Sequence, residues 1–163
     1  MLPRRSSELA RPAAAFVLAA CAGSAVAPDL PSEGLPLNEQ ALTAGATARR
    51  VATIGDAGLE TQVDVPATAR AGVPFEVGVT TYGGGCIRED TTVVTVRASQ
   101  AEVVPYQLVY TPKPGEACTL ELRVNPRRVR VTFPALGSAA VVIRGRTSRD
   151  GSPATVVRGV EVQ

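Results

Sequence analysis

From residue 51 to the C-terminus, apolar residues recur at every second position in short runs, and Gly, Pro or Asn interrupts them about every 8 to 12 residues. A β-strand sends successive side chains to opposite faces, so each run builds one apolar and one polar face. A helix repeats every 3.6 residues and would scatter the same residues around its circumference. Leu59, Val63 and Val65 alternate with Glu60, Gln62 and Asp64; Phe75, Val77 and Val79 alternate with Glu76, Gly78 and Thr80. Val94 and Val96 follow, then Val104, Tyr106, Leu108 and Tyr110, then Leu120, Leu122 and Val124. Val129, Val131 and Phe133, then Val141 and Ile143, and finally Val156, Val160 and Val162 complete the series. The pattern predicts an all-β domain of seven or eight strands over residues 51–163, closed as a sandwich or barrel. No helical period follows residue 50, which excludes βαβ crossovers and with them a nucleotide-binding parallel sheet.

One hairpin is predicted residue by residue. A turn with Asn125 and Arg128 as its outer residues and Pro126 second suits the fixed φ of proline. It would set Val124 opposite Val129, Leu122 opposite Val131 and Leu120 opposite Phe133, three apolar pairs that a one-residue slip would destroy. Glu121, Arg123, Arg128, Arg130 and Thr132 would then face solvent. Tyr106 and Tyr110 share one strand face and are expected in the core, with their hydroxyls at its margin.

The segment Ala69-Arg70-Ala71-Gly72-Val73-Pro74-Phe75-Glu76-Val77 resembles the approach to the second strand in bacterial immunoglobulin-like domains, where an Ala-Gly-x-Pro-Phe turn leads into an alternating strand. The resemblance, carried otherwise by strand count and spacing, implies an immunoglobulin-like antiparallel β-sandwich of seven or eight strands. The chain departs from antibody domains in having no Trp, so it lacks their Trp-on-disulfide core.

The N-terminus has a different character. Arg4, Arg5 and Arg11 precede an apolar run over residues 13–20, the charge-then-apolar order of a secretory signal. That run is far shorter than the roughly 20 residues of a membrane-spanning helix. It ends in Leu18-Ala19-Ala20-Cys21, which resembles the lipobox of bacterial lipoproteins. By that resemblance residues 1–20 are a signal peptide, and Cys21 receives a diacylglycerol and becomes the new N-terminus. The membrane is then a partner through a lipid on Cys21, at the outer membrane or the outer leaflet of the cytoplasmic membrane. Ala22 in place of the inner-membrane aspartate favours the outer membrane in two-membrane cells. Ala25-Val26-Ala27 offers ordinary secretion after cleavage at Ala27 as the alternative. Residues 21–50, rich in small residues and containing Pro28, Pro31 and Pro36, carry no sustained apolar period and are expected to form a disordered tether. With Cys21 acylated, the other two of three cysteines, Cys86 and Cys118, form an even pair, expected as a disulfide in an oxidising compartment. It would tie the Gly83-Gly84-Gly85 loop to the start of a strand.

Histidine is absent, which excludes Ser-His-Asp and Cys-His catalysis and His-ligated metal. Only carboxylate chemistry remains open. Glu89 and Asp90 are candidates for a small ligand or calcium, although no third ligand of EF-hand spacing accompanies them. Arg128 and Arg130 are candidates for an anion patch; on a strand's solvent face, arginines also discourage edge-to-edge aggregation. The glycine run lacks the helix N-terminus that a phosphate cradle needs. Loss of residues 1–20 removes three Arg and one Glu and leaves 14 basic and 14 acidic residues, no excess with which to bind nucleic acid. The expectation is a non-catalytic binding or structural module of the cell envelope, with no cofactor and no metal site. Its partner would be an envelope protein or glycan.

Overall fold

The computed structural model describes residues 43–55 and 61–163, and within them the chain is all-β, with ten strands and no helix. They are β1 (Thr47–Val51), β2 (Thr53–Gly55), β3 (Val63–Asp64), β4 (Thr68–Ala69), β5 (Phe75–Gly83), β6 (Ile87–Arg97), β7 (Gln100–Tyr110), β8 (Arg123–Val131), β9 (Gly137–Thr147) and β10 (Pro153–Val162). Leu59 and Glu60, expected at the start of the first alternating run, lie outside the described residues. So do Cys21 and the signal segment. β1 begins at Thr47, inside the span expected as tether.

Tight connections make the long antiparallel pairs β6/β7 and β9/β10. The first turns through Ala98 and Ser99, with Arg97 opposite Gln100. β5 pairs β8 along its whole length, from Phe75 opposite Val131 to Gly83 opposite Arg123, and takes β3 on its other side. β7 takes β1 along its second half and β9 along its first. Between these two neighbours sits Pro105, whose carbonyl accepts from the Ala52 N–H at 2.8 Å. At Ala52 the chain steps from β1 to β2, which pairs with β9 and, through Thr53 opposite Tyr82, with β5. β2 therefore joins the β5/β8 group of strands to the β7/β9/β10 group in one continuous mixed sheet.

Both groups feed one core. Val77 and Val79 of β5, Val131 of β8 and the Phe133 side chain meet Ile54 of β2, Ala101 and Val103 of β7, Val141 and Ile143 of β9, and Val160 and Val162 of β10. All are nearly or fully buried, and the Phe75 and Phe133 rings lie 5.8 Å apart. The alternations expected for β5, β9 and β10 thus face the core as read from the sequence.

Five expectations change. Ten strands form among the described residues, not seven or eight, because the short pieces β2, β3 and β4 add to the longer runs. The sheet is mixed: β7/β9, β2/β9 and β4/β10 are parallel, because these neighbours come from distant parts of the chain and not from hairpins. The hairpin at Asn125 and Arg128 does not form; both lie within β8, Leu120 and Leu122 lie outside it, and Leu120, Leu122 and Val124 are exposed. Pro126 is tolerated because β8 pairs only with β5. The opposite residue, Thr80, turns its N–H away from β8 to the Gln62 carbonyl, so no donor is required of Pro126. The proline blocks the free edge of β8 against a further strand. On β7 the core face is the other one: Ala101, Val103 and Pro105 point inward, while Tyr106 and Tyr110 are half-buried on the outer side. Lastly, Cys118 does not open a strand but lies in the connection between β7 and β8.

Candidate functional site

Cys86 and Cys118 are bonded, with Cα atoms 5.3 Å apart. Cys86 sits in the turn between β5 and β6, where its carbonyl accepts from the Tyr110 N–H. Gly84 and Gly85 adopt φ of +129° and +56°, and a Cβ on either would fall 1.7 and 2.3 Å from the carbonyl oxygens of Glu121 and Thr119. The glycine run is thus a backbone seat for residues 118–122, which the disulfide clamps onto it. At the near side of this flap the Tyr110 hydroxyl donates to Glu116, whose carboxylate also accepts from the Lys113 N–H. These bonds hold the Glu116 carboxyl below the usual carboxylate range and push the Tyr110 phenol up. Leu120, Leu122 and Val124 point outward from the flap and its junction with β8, at 104%, 56% and 55% exposure.

Glu89 and Asp90 stand at a register break of β6, between Glu89 and Thr92. Asp90 is already engaged: the Arg49 Nε donates to its carboxylate at 2.5 Å, while the Arg49 Nη2 donates to Thr91 and its guanidinium carbon stacks 3.9 Å from the Tyr106 ring centre. The Arg49 hydrogen bond, aided by the Thr91 backbone N–H, holds the Asp90 carboxyl below its ordinary value. From the other side Arg127 donates to the Asp90 carbonyl and to Thr81 Oγ1. Arg127 is 8% exposed, and burial lowers the pKa of its guanidinium against the opposing pull of Glu89 and Asp90. Two arginines therefore clasp the β6 irregularity between β1, β7, β8 and β5. Glu89 remains exposed beside it.

Arg128 and Arg130 lie on the outer face of β8. Arg128 pairs with Glu76 at 3.0 Å, both ends exposed. Arg130 is directly across from Glu76 in the ladder, without an ion pair of its own among the described residues. Beside them is an open groove of about 500 Å³ lined by Asp64, Glu76, Gly78, Thr80, Pro126 and Arg128 among others. The groove is lined mostly by polar side chains, the carboxylates of Asp64 and Glu76 among them, and no aromatic residue lines it. Among the described residues no three Cys, Asp or Glu side chains gather as metal ligands.

Neither Arg49 nor Arg127 was read from the sequence as a partner of Asp90. Arg127 shares the parity of the core residues Val129 and Val131, a signal readable only once Pro126 is placed inside the strand.

In the turn between β9 and β10, Asp150 accepts from Thr147 Oγ1 at 2.6 Å and from the Ser152 N–H at 3.0 Å. These bonds depress its carboxyl from 3.8 to about 2. A depressed folded pKa adds stability above the unfolded value, and that contribution is lost as pH falls through the folded one. The turn should hold from neutral pH down to about 4 and loosen between pH 4 and 2. Carboxyl carbon shifts followed by NMR check this. Thr147→Ala should move the midpoint up towards the ordinary value, and a midpoint near 4 in the unaltered chain would contradict the turn geometry.

Compared with known proteins, the chain has no match: no family model fits it, and no curated protein or solved structure is detectably similar.

Proposed function

We propose that this chain is an extracytoplasmic lipoprotein, anchored through a lipid on Cys21, whose β domain serves as a non-catalytic binding or structural module of the cell envelope. The observation that carries the reading is the Cys86–Cys118 bond. It accounts for two of three cysteines and leaves Cys21, at the end of the apolar N-terminal run, as the one without a disulfide role. A disulfide is at home in an exported protein. The shared core of the β5/β8 and β7/β9/β10 groups supports reading the domain as an immunoglobulin-like β-sandwich in which β2 passes between two layers. The polar groove beside β8 and the loops at the two ends of the strands are where ligand contacts would lie.

Ion binding at Glu89 and Asp90 is the weaker reading, since a cation on Asp90 has to displace Arg49 from the same oxygen.

Expression of the full chain in a lipoprotein-processing bacterium, followed by mass spectrometry of the Cys21 peptide, tests the anchor. The expected result is an N-terminal Cys21 carrying a diacylglycerol, with Cys21→Ser moving the protein from the membrane to the soluble fraction. A mature N-terminus at Pro28 would establish plain secretion instead.

A further inference from the structure

We propose that the flap at residues 118–124 is a membrane-facing ledge, with Leu120, Leu122 and Val124 resting in the interfacial layer of the bilayer to which the chain is anchored. This placement rests on the acylation of Cys21 proposed above. Leu120, Leu122 and Val124 occupy alternate positions where the chain leads into β8, with Val124 its second residue. Leu120 is fully exposed and the other two are more than half exposed. Between them Glu121 and Arg123 pair with each other at 3.0 Å, so the ledge presents no unbalanced charge to headgroups. The disulfide and the close backbone seat on Gly84 and Gly85 keep the segment from folding back onto the core.

The direction in which the chain enters the domain decides what covers this ledge. β1 starts at Thr47 opposite Tyr110, and the Tyr110 N–H is bonded to Cys86, so the N-terminal connection arrives at the flap's end of the domain. Leu136 marks the far end: it precedes Gly137, and β9 runs parallel to β7 away from it. The 11 residues of β9 separate the two ends by about 35 Å. Between Cys21 and Thr47 lie 25 residues. By this connection the flap's end of the domain, not the Leu136 end, is the one tied to Cys21.

The chain has no Trp, so a single introduced one reports its own surroundings. Full-length acylated Leu120→Trp and Leu136→Trp proteins are reconstituted into phosphatidylcholine vesicles with and without brominated acyl chains. The Trp at position 120 should shift to the blue and lose at least half its emission to bromine, while that at position 136 should be quenched less than a tenth. Equal quenching at both positions, or none at 120, overturns the ledge. So does a blue shift at 120 that needs no lipid and grows with protein concentration, which assigns the face to a second copy. The mass of the Cys21 peptide from the same preparation separates the two claims. Acylated protein with an unquenched position 120 refutes the ledge alone; an unmodified Cys21 refutes the anchor, and the ledge with it.

Discussion

Phe133→Ala should destabilise the domain by about 3–5 kcal/mol, and Leu120→Ala should be close to neutral. Phe133 is 1% exposed and packs against Phe75 and the aliphatic core. Truncation removes a ring from water-excluded contacts and leaves a cavity that strands on three sides cannot collapse to fill. Leu120 is fully exposed and has nothing to lose. The contrast separates the observed pairing of β8 with β5 from the hairpin read from the sequence, in which Phe133 and Leu120 face each other and both truncations cost. Urea denaturation of the two variants measures it, and for a domain of this size Phe133→Ala should also lower Tm on the order of 10–20 °C. Comparable losses at the two positions would restore the hairpin.

Replacing both cysteines of the bridge, Cys86→Ser with Cys118→Ser, should cost roughly 3–4 kcal/mol, the chain entropy released when a loop of 32 residues is no longer closed. The effect is also local. Without the bond, residues 118–122 are held on Gly84 and Gly85 by backbone packing alone, so the flap should detach before the core melts. Hydrogen exchange reads this directly: the Tyr110 amide, bonded to the Cys86 carbonyl, should exchange faster in the double variant while amides of β9 stay protected. A loss under 1 kcal/mol with Tyr110 unchanged would show that the flap is held without the disulfide.

The legibility of the chain varied from strand to strand for a physical reason. Where one face is apolar and the other polar, as in Phe75, Val77 and Val79, alternation alone identifies the buried side. On β7 both faces are apolar, and the polar Gln107 belongs to the buried one, its side chain accepting from the Thr53 N–H. Alternation cannot rank two such faces; only the neighbouring layers can. Pro126 misled for a related reason. A proline reads as a turn unless the strand that carries it is an edge with its N–H positions unpaired on that side, and edge status is not a property of the segment itself.

Of the candidate residues, Cys86 and Cys118 were readable by counting. The role of Asp90 was not, because its partners Arg49 and Arg127 lie about 40 residues away on either side. What the sequence by itself determined is the class of the fold, the buried faces of β5, β9 and β10, the pairing of two cysteines and the absence of histidine chemistry. These follow from residue identity and from spacing within a few positions. Which strands lie side by side, and which run parallel, was decided only in the tertiary structure. So were the arginine clasp at the β6 irregularity and the exposure of Leu120. Each depends on how segments far apart in the chain share one core, and no local pattern encodes that choice.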